Sequence, residues 1–270
     1  MKYAIVIALS ILFLFPLYWM VLGSFQPIEG IMRIPPAWIP RTVTVENYTI
    51  LLGNNPWLLW AANSAGIACI TVILSVTVTV LAGYAFSMYR FPGASVLFWL
   101  FMASLMVSRQ ILIIPMLQTV RTLGLSGTRL AVILPLLFSP LHIFLFRRYL
   151  DRIPRDYIDS ARIDGATELG IITRIVAPLC KPILGAIAIF VFVGVLNDFL
   201  WQMLVLQDAN KRTLLVGIVS ATHKYSPPRT INPIGRILAG GVVLALPQLA
   251  VFFRFQRYFV KGLQVGGIKE

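Results

Sequence analysis

The chain has 270 residues, of which 58% are hydrophobic and 12% are charged, and its formal net charge is +13. With a mean hydropathy of +0.84, it has too few charged side chains to cover a water-facing surface, which excludes a soluble globular protein. In a soluble protein such a charge would suggest a nucleic-acid partner, but here the basic residues lie mostly between apolar stretches, where membrane topology and lipid headgroups account for them. We therefore expect an integral membrane protein in a lipid bilayer, with no nucleic-acid partner.

Six apolar stretches predict six transmembrane helices, and thus an all-α membrane protein. A hydrocarbon core about 30 Å thick needs roughly 20 mainly apolar residues to cross as a helix. The stretches are residues 3–25, 57–89, 91–108, 130–146, 182–207 and 237–253. A cleaved secretory signal is the alternative for the first stretch, but its apolar run is longer than an ordinary signal core and lacks a clear small-x-small cleavage site. No connection resembles a folded soluble domain, so we expect residues 1–270 to form a single transmembrane domain.

The connections between these stretches predict the topology. With a cytoplasmic amino terminus, 13 of the 23 basic residues lie on the cytoplasmic side and 10 lie outside. This narrow margin favours cytoplasmic amino and carboxyl termini. Residues 26–56, 118–129 and 208–233 then form outer links, while residues 88–93 form a tight inner turn between antiparallel neighbouring helices.

The longest inner connection, residues 147–181, contains seven basic and five acidic residues. Pro154 can start a helix and Gly165 breaks it, after which apolar residues recur at helical spacing until Pro178 and Pro182. In the first helix, one face is predicted to carry Tyr157, Ile158 and Ala161. The pattern indicates two short amphipathic helices joined by a bend, which would either lie on the membrane surface or insert into a groove of a cytoplasmic partner. Periodicity alone leaves both alternatives open.

The same segment resembles the EAA loop of ABC-importer permeases. The loop pattern is Glu-Ala-Ala, two residues, Asp-Gly-Ala, and then an Ile and a Leu-Pro pair. Here Asp159 stands in place of Glu, Ser160 in place of Ala, and Ala177 in place of Leu. Further stretches are similar to the carbohydrate-uptake branch of that family, which includes the maltose permease: residues 15–27, 35–48, 63–64, 83–85, 123–125, 197–201 and 262–269.

The resemblance implies an importer with a homologous second permease subunit, two cytoplasmic ATPase subunits that bind ATP and Mg²⁺, and an extracytoplasmic sugar-binding protein. The chain itself has no Gly-rich phosphate loop, so we expect no bound cofactor, no metal and no catalytic residue in it. The segment of about residues 147–182 would couple to the ATPase as a rigid lever, with apolar contacts, hydrogen bonds accepted by Asp159 and a bend at Gly165. The coupling residues would be Tyr157, Asp159, Ser160, Ala161, Asp164, Gly165, Ala166, Leu169 and Ile172.

Asp198 is the only acidic residue within a predicted span. A charge there costs on the order of 3 kcal/mol, so it ordinarily faces the bundle interior or water and has a partner. With Asn197 and Gln202 it could hydrogen-bond sugar hydroxyls in the translocation pathway, or it could brace a neighbouring helix. His142 is interpreted as a packed or hydrogen-bonded histidine rather than a proton relay.

Other functions remain as alternatives. An ion-coupled secondary transporter would need coupled ionisable groups at mid-membrane, and one acid is scant for that purpose. An ABC permease for a non-sugar solute would share the coupling segment. An integral-membrane enzyme would need a catalytic constellation, which neither His142 nor His223 provides.

Overall fold

The computed structural model describes residues 2–35, 38–40, 42–53, 55–224 and 234–264. Throughout these ranges the regular structure is helical and contains no strand. The predicted all-α class is therefore confirmed for the part of the chain that the structure describes.

The helices vary in length from short turns to elements that could cross a bilayer. The first half of the chain contains α1 (Lys2–Ser24), α2 (Ile28–Ile31), α3 (Glu46–Gly53), α4 (Trp57–Met88), α5 (Ala94–Ser104), α6 (Ile113–Thr122) and α7 (Leu130–Ile133). The second half contains α8 (Pro140–Leu150), α9 (Asp156–Ile163), α10 (Glu168–Ile171), α11 (Ala177–Leu179), α12 (Lys181–Asn197), α13 (Phe199–Val205), α14 (Leu214–Lys224) and α15 (Ile234–Gln264). A 3₁₀ turn follows α7 at Leu134–Leu136, and a π-helical turn joins α10 to α11 at Ile172–Val176.

Three helices are long and apolar enough to cross a membrane: Tyr3–Ser24, Trp57–Met88 and Ile234–Gln256. Counting each bent helix pair as one broken span raises the number to five among the described residues. The predicted stretch 91–108 contains only α5, whose 11 residues extend about 17 Å at 1.5 Å per residue. The number six therefore stays a prediction.

Two predicted spans are broken by backbone features. Helix α7 and its 3₁₀ turn meet α8 at 45°, because Ser139, which precedes Pro140, is extended with φ −130° and ψ 112°. A residue before proline is disfavoured in the helical region, which explains the break. The predicted stretch 182–207 is likewise divided into α12 and α13 at Asp198, whose ψ is 77°.

Helices also occur in links that the sequence analysis left without regular structure. Helix α6 begins before the predicted outer link 118–129 and buries Val120, while α14 lies within link 208–233 and buries Leu214, Ile218 and Ala221. Both helices are too short and too polar to be predicted as membrane-crossing helices. Their apolar residues recur at three- to four-residue spacing, which is the signal that could have identified them.

The chain divides into two compact units. The first comprises residues 1–63 and 212–250, and its core is formed by α3, α4, α14 and α15. Its buried residues are Leu51, Trp60, Leu214, Ile218, Ala221 and Ala239. Gly217 permits the closest approach, because a Cβ at this position would lie 2.2 Å from the Trp60 ring.

The second unit comprises residues 64–211 and 251–270 and holds the larger core. Its buried side chains come from α4, α6 to α10, α12 and α13, and include Ile67, Tyr84, Val120, Val132, Phe146, Leu150, Ile158, Ala161, Ile171, Ile187 and Trp201. Small residues on α4 allow close helix packing. At Gly83, for example, an added Cβ would lie 2.5 Å from Cδ1 of Phe146. This core supports the segment that the sequence analysis singled out.

Candidate functional site

The predicted bend lies between α9 and α10 and is defined by two local hydrogen-bond motifs. Gly165 has φ +81°; its N–H donates to the Arg162 carbonyl at 3.1 Å, and the N–H of Ala166 donates to the Ala161 carbonyl at 2.9 Å. This pair of bonds is a Schellman motif, which terminates a helix and favours glycine at the left-handed position. Thr167 then caps α10 by accepting from the Gly170 N–H at 3.2 Å. We call residues 156–179, from α9 to α11, the bent segment.

One side of the bent segment is part of the large core. Ile158, Ala161, Ile171 and Val176 are between 0% and 9% exposed and belong to that cluster. Burial of such side chains stabilises the attachment by about 1.5–3 kcal/mol for each large one. The segment is therefore packed onto the helical body along its length and is not a loose loop.

The other side presents large apolar side chains without cover from the chain. Tyr157 is 57% exposed, Leu169 is 65% exposed and Ile163 is 87% exposed. We call these three residues the apolar tips. Ile163 was missed by the sequence analysis, although an isoleucine immediately before Asp-Gly at a helix end was a usable signal.

The structure places the predicted contact residues on different sides of the bent segment. Ala161 lies in the core and Ile172 is half-buried against it, so both side chains pack on the chain itself, and their contact with a partner stays a prediction. Tyr157 lies on the opposite side from Ile158, although the sequence analysis placed both on one face. Two helical turns are too few for periodicity to tell the face that packs on the chain itself from the face that stays open. The remaining predicted residues Asp159, Ser160, Asp164, Gly165 and Ala166 are exposed.

A polar cluster crosses the bend and ties it to α4. Arg162 precedes the turn and Glu168 follows it, and Nε of Arg162 donates to Oε1 of Glu168 at 2.9 Å. The buried Tyr84 on α4 donates its hydroxyl to Oε2 of the same carboxylate at 2.5 Å. We call these three residues the clamp. The clamp therefore joins both arms of the bend to a long helix.

The clamp contains a charged acid, Glu168, and a charged base, Arg162. The hydrogen bond from Arg162 holds the pKa of the Glu168 carboxyl below its ordinary value, with a smaller contribution from the Tyr84 hydroxyl. The same bond to Glu168 raises the pKa of the Arg162 guanidinium above its ordinary value. Arg162 also contacts Asp159 at 3.4 Å, but the Asp159 side chain stays 59% exposed. Asp159 therefore has accessible surface for a further donor.

A second connection holds the link that precedes the bent segment to the end of α4. The Ser87 hydroxyl donates to Oδ1 of Asp151 at 2.6 Å, and Nη2 of Arg155 donates to the Ser87 carbonyl at 3.4 Å. The sequence analysis missed both Tyr84 and Ser87. Polar side chains at the end of an otherwise apolar helix were the available signal, but their partners lie more than 60 residues away in the chain.

The predicted substrate-pathway residues differ in their exposure and in their hydrogen-bond partners. Asp198 lies in the break between α12 and α13, where Nη2 of Arg109 approaches Oδ2 of Asp198 at 3.0 Å. Gln202 is 0% exposed and its Nε2 donates to the Val195 carbonyl at 2.6 Å. Gln202 therefore braces the helix break, and its role in the substrate pathway stays a prediction. Asn197 is exposed.

Arg109 is the partner that the sequence analysis did not identify for Asp198. The Arg109 side chain is 44% exposed and that of Asp198 is 11% exposed. This ion pair joins the link before α6 to the break after α12, consistent with the bracing alternative for Asp198.

No cluster of three or more metal-ligating side chains occurs among the described residues. The two cysteines are both free: Cys69 is exposed and Cys180 is buried. His142 has a buried Nδ1 without a hydrogen-bond partner in the described part of the chain, and the side chain of His223 lies outside the described residues. None of these residues forms a second site.

Residues 75–265 match the family model described as binding-protein-dependent transport system inner membrane component. The arabinooligosaccharides transport system permease protein AraQ of Bacillus subtilis (strain 168) is 36% identical over 97% of this chain and 92% of that protein. The sn-glycerol-3-phosphate transport system permease protein UgpE of Yersinia enterocolitica is 31% identical over 94% of this chain and 91% of that protein. The fold is similar to a chain of a bacterial ABC transporter involved in the import of the acidic polysaccharide alginate, with TM-score 0.83, 21% identity and coverage of 96% and 95%.

Proposed function

The chain belongs to the family of binding-protein-dependent transport system inner membrane components, and on this premise we propose that it is a permease subunit of an ATP-driven ABC importer for a sugar or a related polyol. It is a transport component and not an enzyme. The observation that carries the proposal is the bent segment, which is anchored to the helical body on one side and exposes the apolar tips on the other.

The apolar tips fit the groove of a partner subunit. Exposed apolar patches of this kind mark protein or membrane interaction sites. We assign the tips to a partner subunit, because an amphipathic helix inserted into a groove makes such a contact. Burying three large side chains contributes roughly 1.5–3 kcal/mol each before the costs of association. Moving a two-state equilibrium from about 1:99 to 99:1 takes roughly 5.5 kcal/mol of differential binding. The two quantities are of the same order, so docking drives a change of state to the extent that the tips are buried by the partner in one state and not in the other.

The clamp makes the bent segment suitable as a lever. A force applied at the tips reaches α4 through Arg162, Glu168 and Tyr84. In our proposal, closure of two cytoplasmic ATPase subunits around ATP and Mg²⁺ moves the segment and favours an outward-facing pathway. Release of the ATP products restores the inward-facing one. Asp159 accepts hydrogen bonds from a basic ATPase residue, while Ser160, Asp164, Gly165 and Ala166 shape the exposed turn.

The rest of the assembly follows from the proposed function. It comprises a homologous second permease subunit and an extracytoplasmic binding protein that delivers the sugar. Residues 1–270 form one transmembrane domain with six spans in the lipid bilayer of the cell membrane, and both termini are cytoplasmic. ATP and Mg²⁺ are bound by the partner subunits and not by this chain. The segment of about residues 147–182 is the EAA loop.

Substrate recognition is proposed at the outer half of the pathway. Asn197 is exposed and the Arg109–Asp198 pair is partly exposed, so both offer donors and acceptors for hydroxyl groups. Arabino-oligosaccharides are the first substrates to test, because two AraQ proteins are 36% and 37% identical to this chain. The same assay with sn-glycerol 3-phosphate and with lactose tests the substrates named for two other relatives.

The experiment is uptake by proteoliposomes that contain the complete transporter with its binding protein outside and nucleotide inside. We expect accumulation of one sugar with enclosed ATP and none with enclosed ADP or without the binding protein. Accumulation driven by a proton or sodium gradient in the absence of ATP would refute the proposal in favour of a secondary transporter. ATP-dependent uptake of a solute without hydroxyl groups would refute the sugar class alone.

A further inference from the structure

A cavity of about 670 Å³ lies where α4 ends, between α5, α8 and the link to α9. We call it the inner pocket. It belongs entirely to the second compact unit, and its lining includes neither a residue of the clamp nor Arg109 or Asp198. It adjoins the clamp at Tyr89, whose ring lies 6.1 Å from that of Tyr84. Its lining combines arginines with aromatic rings.

The inner pocket carries an excess of positive charge. Its lining includes Arg90, Arg147, Arg148 and Arg155, but Asp151 is its one carboxylate. Asp151 is already engaged, since it accepts from the Ser87 hydroxyl at 2.6 Å and lies 3.9 Å from Arg147. Neither Arg90 nor Arg148 forms a hydrogen bond or ion pair with a described residue. The guanidinium donors of these two arginines are therefore available to an anion.

Aromatic rings hold two of the guanidinium groups. The guanidinium carbon of Arg147 lies 4.2 Å from the centre of the Phe98 ring, and that of Arg148 lies 5.6 Å from the centre of Phe144. A ring covers the face of a guanidinium and leaves the N–H groups at its edge free to donate. Planar donors arranged in this way suit the oxygens of a phosphate group.

The surroundings favour a phosphate that is attached to a lipid. The lining of the pocket includes Met88, where the 32-residue apolar helix α4 ends. The end of such a helix lies at the level of the headgroups as the chain leaves a bilayer. Helix α5 continues from the pocket with Val96, Trp99 and Leu100 between 61% and 67% exposed. An acyl chain can lie along this apolar face while its phosphate occupies the pocket, and tryptophan is enriched at this membrane depth.

We propose that the inner pocket binds the phosphate of an anionic phospholipid in the cytoplasmic leaflet. Basic pockets between helices on the cytoplasmic side recognise such headgroups. The assignment to the cytoplasmic leaflet rests on the proposed function, which sets the orientation of the chain. The binding of a phosphate does not rest on the proposed function, because it depends only on the arginines and aromatic rings of the inner pocket.

The test uses the assembled transporter in nanodiscs of phosphatidylcholine that contain phosphatidylglycerol with brominated acyl chains. Bromine quenches tryptophan fluorescence on contact, and the difference between the wild type and Trp99→Phe isolates the quenching of Trp99. We expect Trp99 to be quenched more strongly by brominated phosphatidylglycerol than by brominated phosphatidylcholine at the same fraction. In the double variant Arg90→Gln and Arg148→Gln this preference should fall by about fivefold for each arginine replaced.

Arg152→Gln is the matched control. Arg152 is exposed, lies outside the inner pocket and makes no side-chain hydrogen bond or ion pair with a described residue, so it changes the same charge nearby without touching the site. An equal loss in this control, or an unchanged preference in the double variant, would overturn the proposal. Displacement of the lipid by about 10 mM inorganic phosphate, far below the local concentration of headgroups at the membrane surface, would assign the pocket to soluble phosphate instead.

Two further outcomes separate the proposal from its alternatives. The same measurement on the permease subunits without their ATPase subunits provides the comparison. A lipid preference that is present there but absent from the assembled transporter would show that the pocket is a contact for the ATPase subunits and would overturn the lipid assignment. Quenching does not require transport, so a failed uptake assay with an intact lipid preference would count against the proposed function only.

Discussion

Neutralising Glu168 should loosen the bent segment without unfolding the protein. Glu168→Gln keeps the size of the side chain and one acceptor oxygen but removes the charge that Arg162 and Tyr84 share. The Arg162–Glu168 pair has side chains that are 36% and 42% exposed, so screening limits its contribution to about 0.2–1 kcal/mol. The bond from the buried Tyr84 changes from a charged to a neutral acceptor, which removes about 1 kcal/mol more.

The expected loss is thus between about 1.2 and 2 kcal/mol, which corresponds to a roughly 7- to 30-fold larger equilibrium constant for detachment of the segment. Hydrogen exchange measures this quantity directly. The amides of α9 and α10 in the assembled transporter should exchange faster by that factor, and the ATP hydrolysed for each sugar transported should rise. Asp164→Asn is the control for exchange, because it removes the same charge from the bent segment and its side chain has no partner among the described residues. Unchanged protection in Glu168→Gln, or equal acceleration in Asp164→Asn, would refute the role of the clamp.

The remaining predictions concern the turn, the outer ion pair and pH. Gly165→Val places a β-branched residue at φ +81° and should leave membrane insertion intact but lower the amount of sugar taken up for each ATP hydrolysed. Gly124→Val, at φ +67° in an outer link, should leave that ratio unchanged. Equal ratios in the two variants would exclude the lever. A double-mutant cycle of Arg109→Gln and Asp198→Asn, measured by thermal unfolding, should give a coupling energy of about 1–2 kcal/mol, between the values for exposed and buried pairs. If the effects of the two substitutions on the free energy of unfolding are additive, the pair contributes nothing. Since its hydrogen bonds lower the pKa of the Glu168 carboxyl, the clamp should be at full strength above the ordinary carboxyl pKa of 4.5 and weaken as the pH falls through the lowered value. The hydrogen-exchange protection of α9 and α10, corrected for intrinsic exchange, should therefore be constant from about pH 6 to 8 and should decline only at acidic pH. A decline near neutral pH would contradict the assignment.

The sequence was sufficient for features that depend on local chemistry. A glycine after a short amphipathic run predicts a helix end, and Gly165 adopts the left-handed conformation at that end. Long uncharged runs predict membrane helices, and the runs that contain α1, α4 and α15 satisfy the length requirement. The family resemblance rested on a motif of fixed spacing, and the match over residues 75–265 confirms it.

The sequence was insufficient where the outcome depends on distant partners. Ala161 and Tyr157 are four residues apart on one short helix, yet one is buried and the other is exposed. Arg109 lies 89 residues from Asp198, and Tyr84 lies 84 residues from Glu168, so no local pattern connects either pair. Backbone breaks at Ser139 and Asp198 divide stretches that hydropathy reads as continuous.

The most direct test of the central claim is a photocrosslinking residue placed at Ile163, the most exposed of the apolar tips at 87%, in the assembled transporter. Met106 is 89% exposed and lies in the link between α5 and α6, outside the bent segment, so it provides the matched position. The account predicts that illumination joins position 163 to an ATPase subunit and that position 106 gives no such product. A product between position 163 and the extracytoplasmic binding protein, or no ATPase product from position 163, would contradict it.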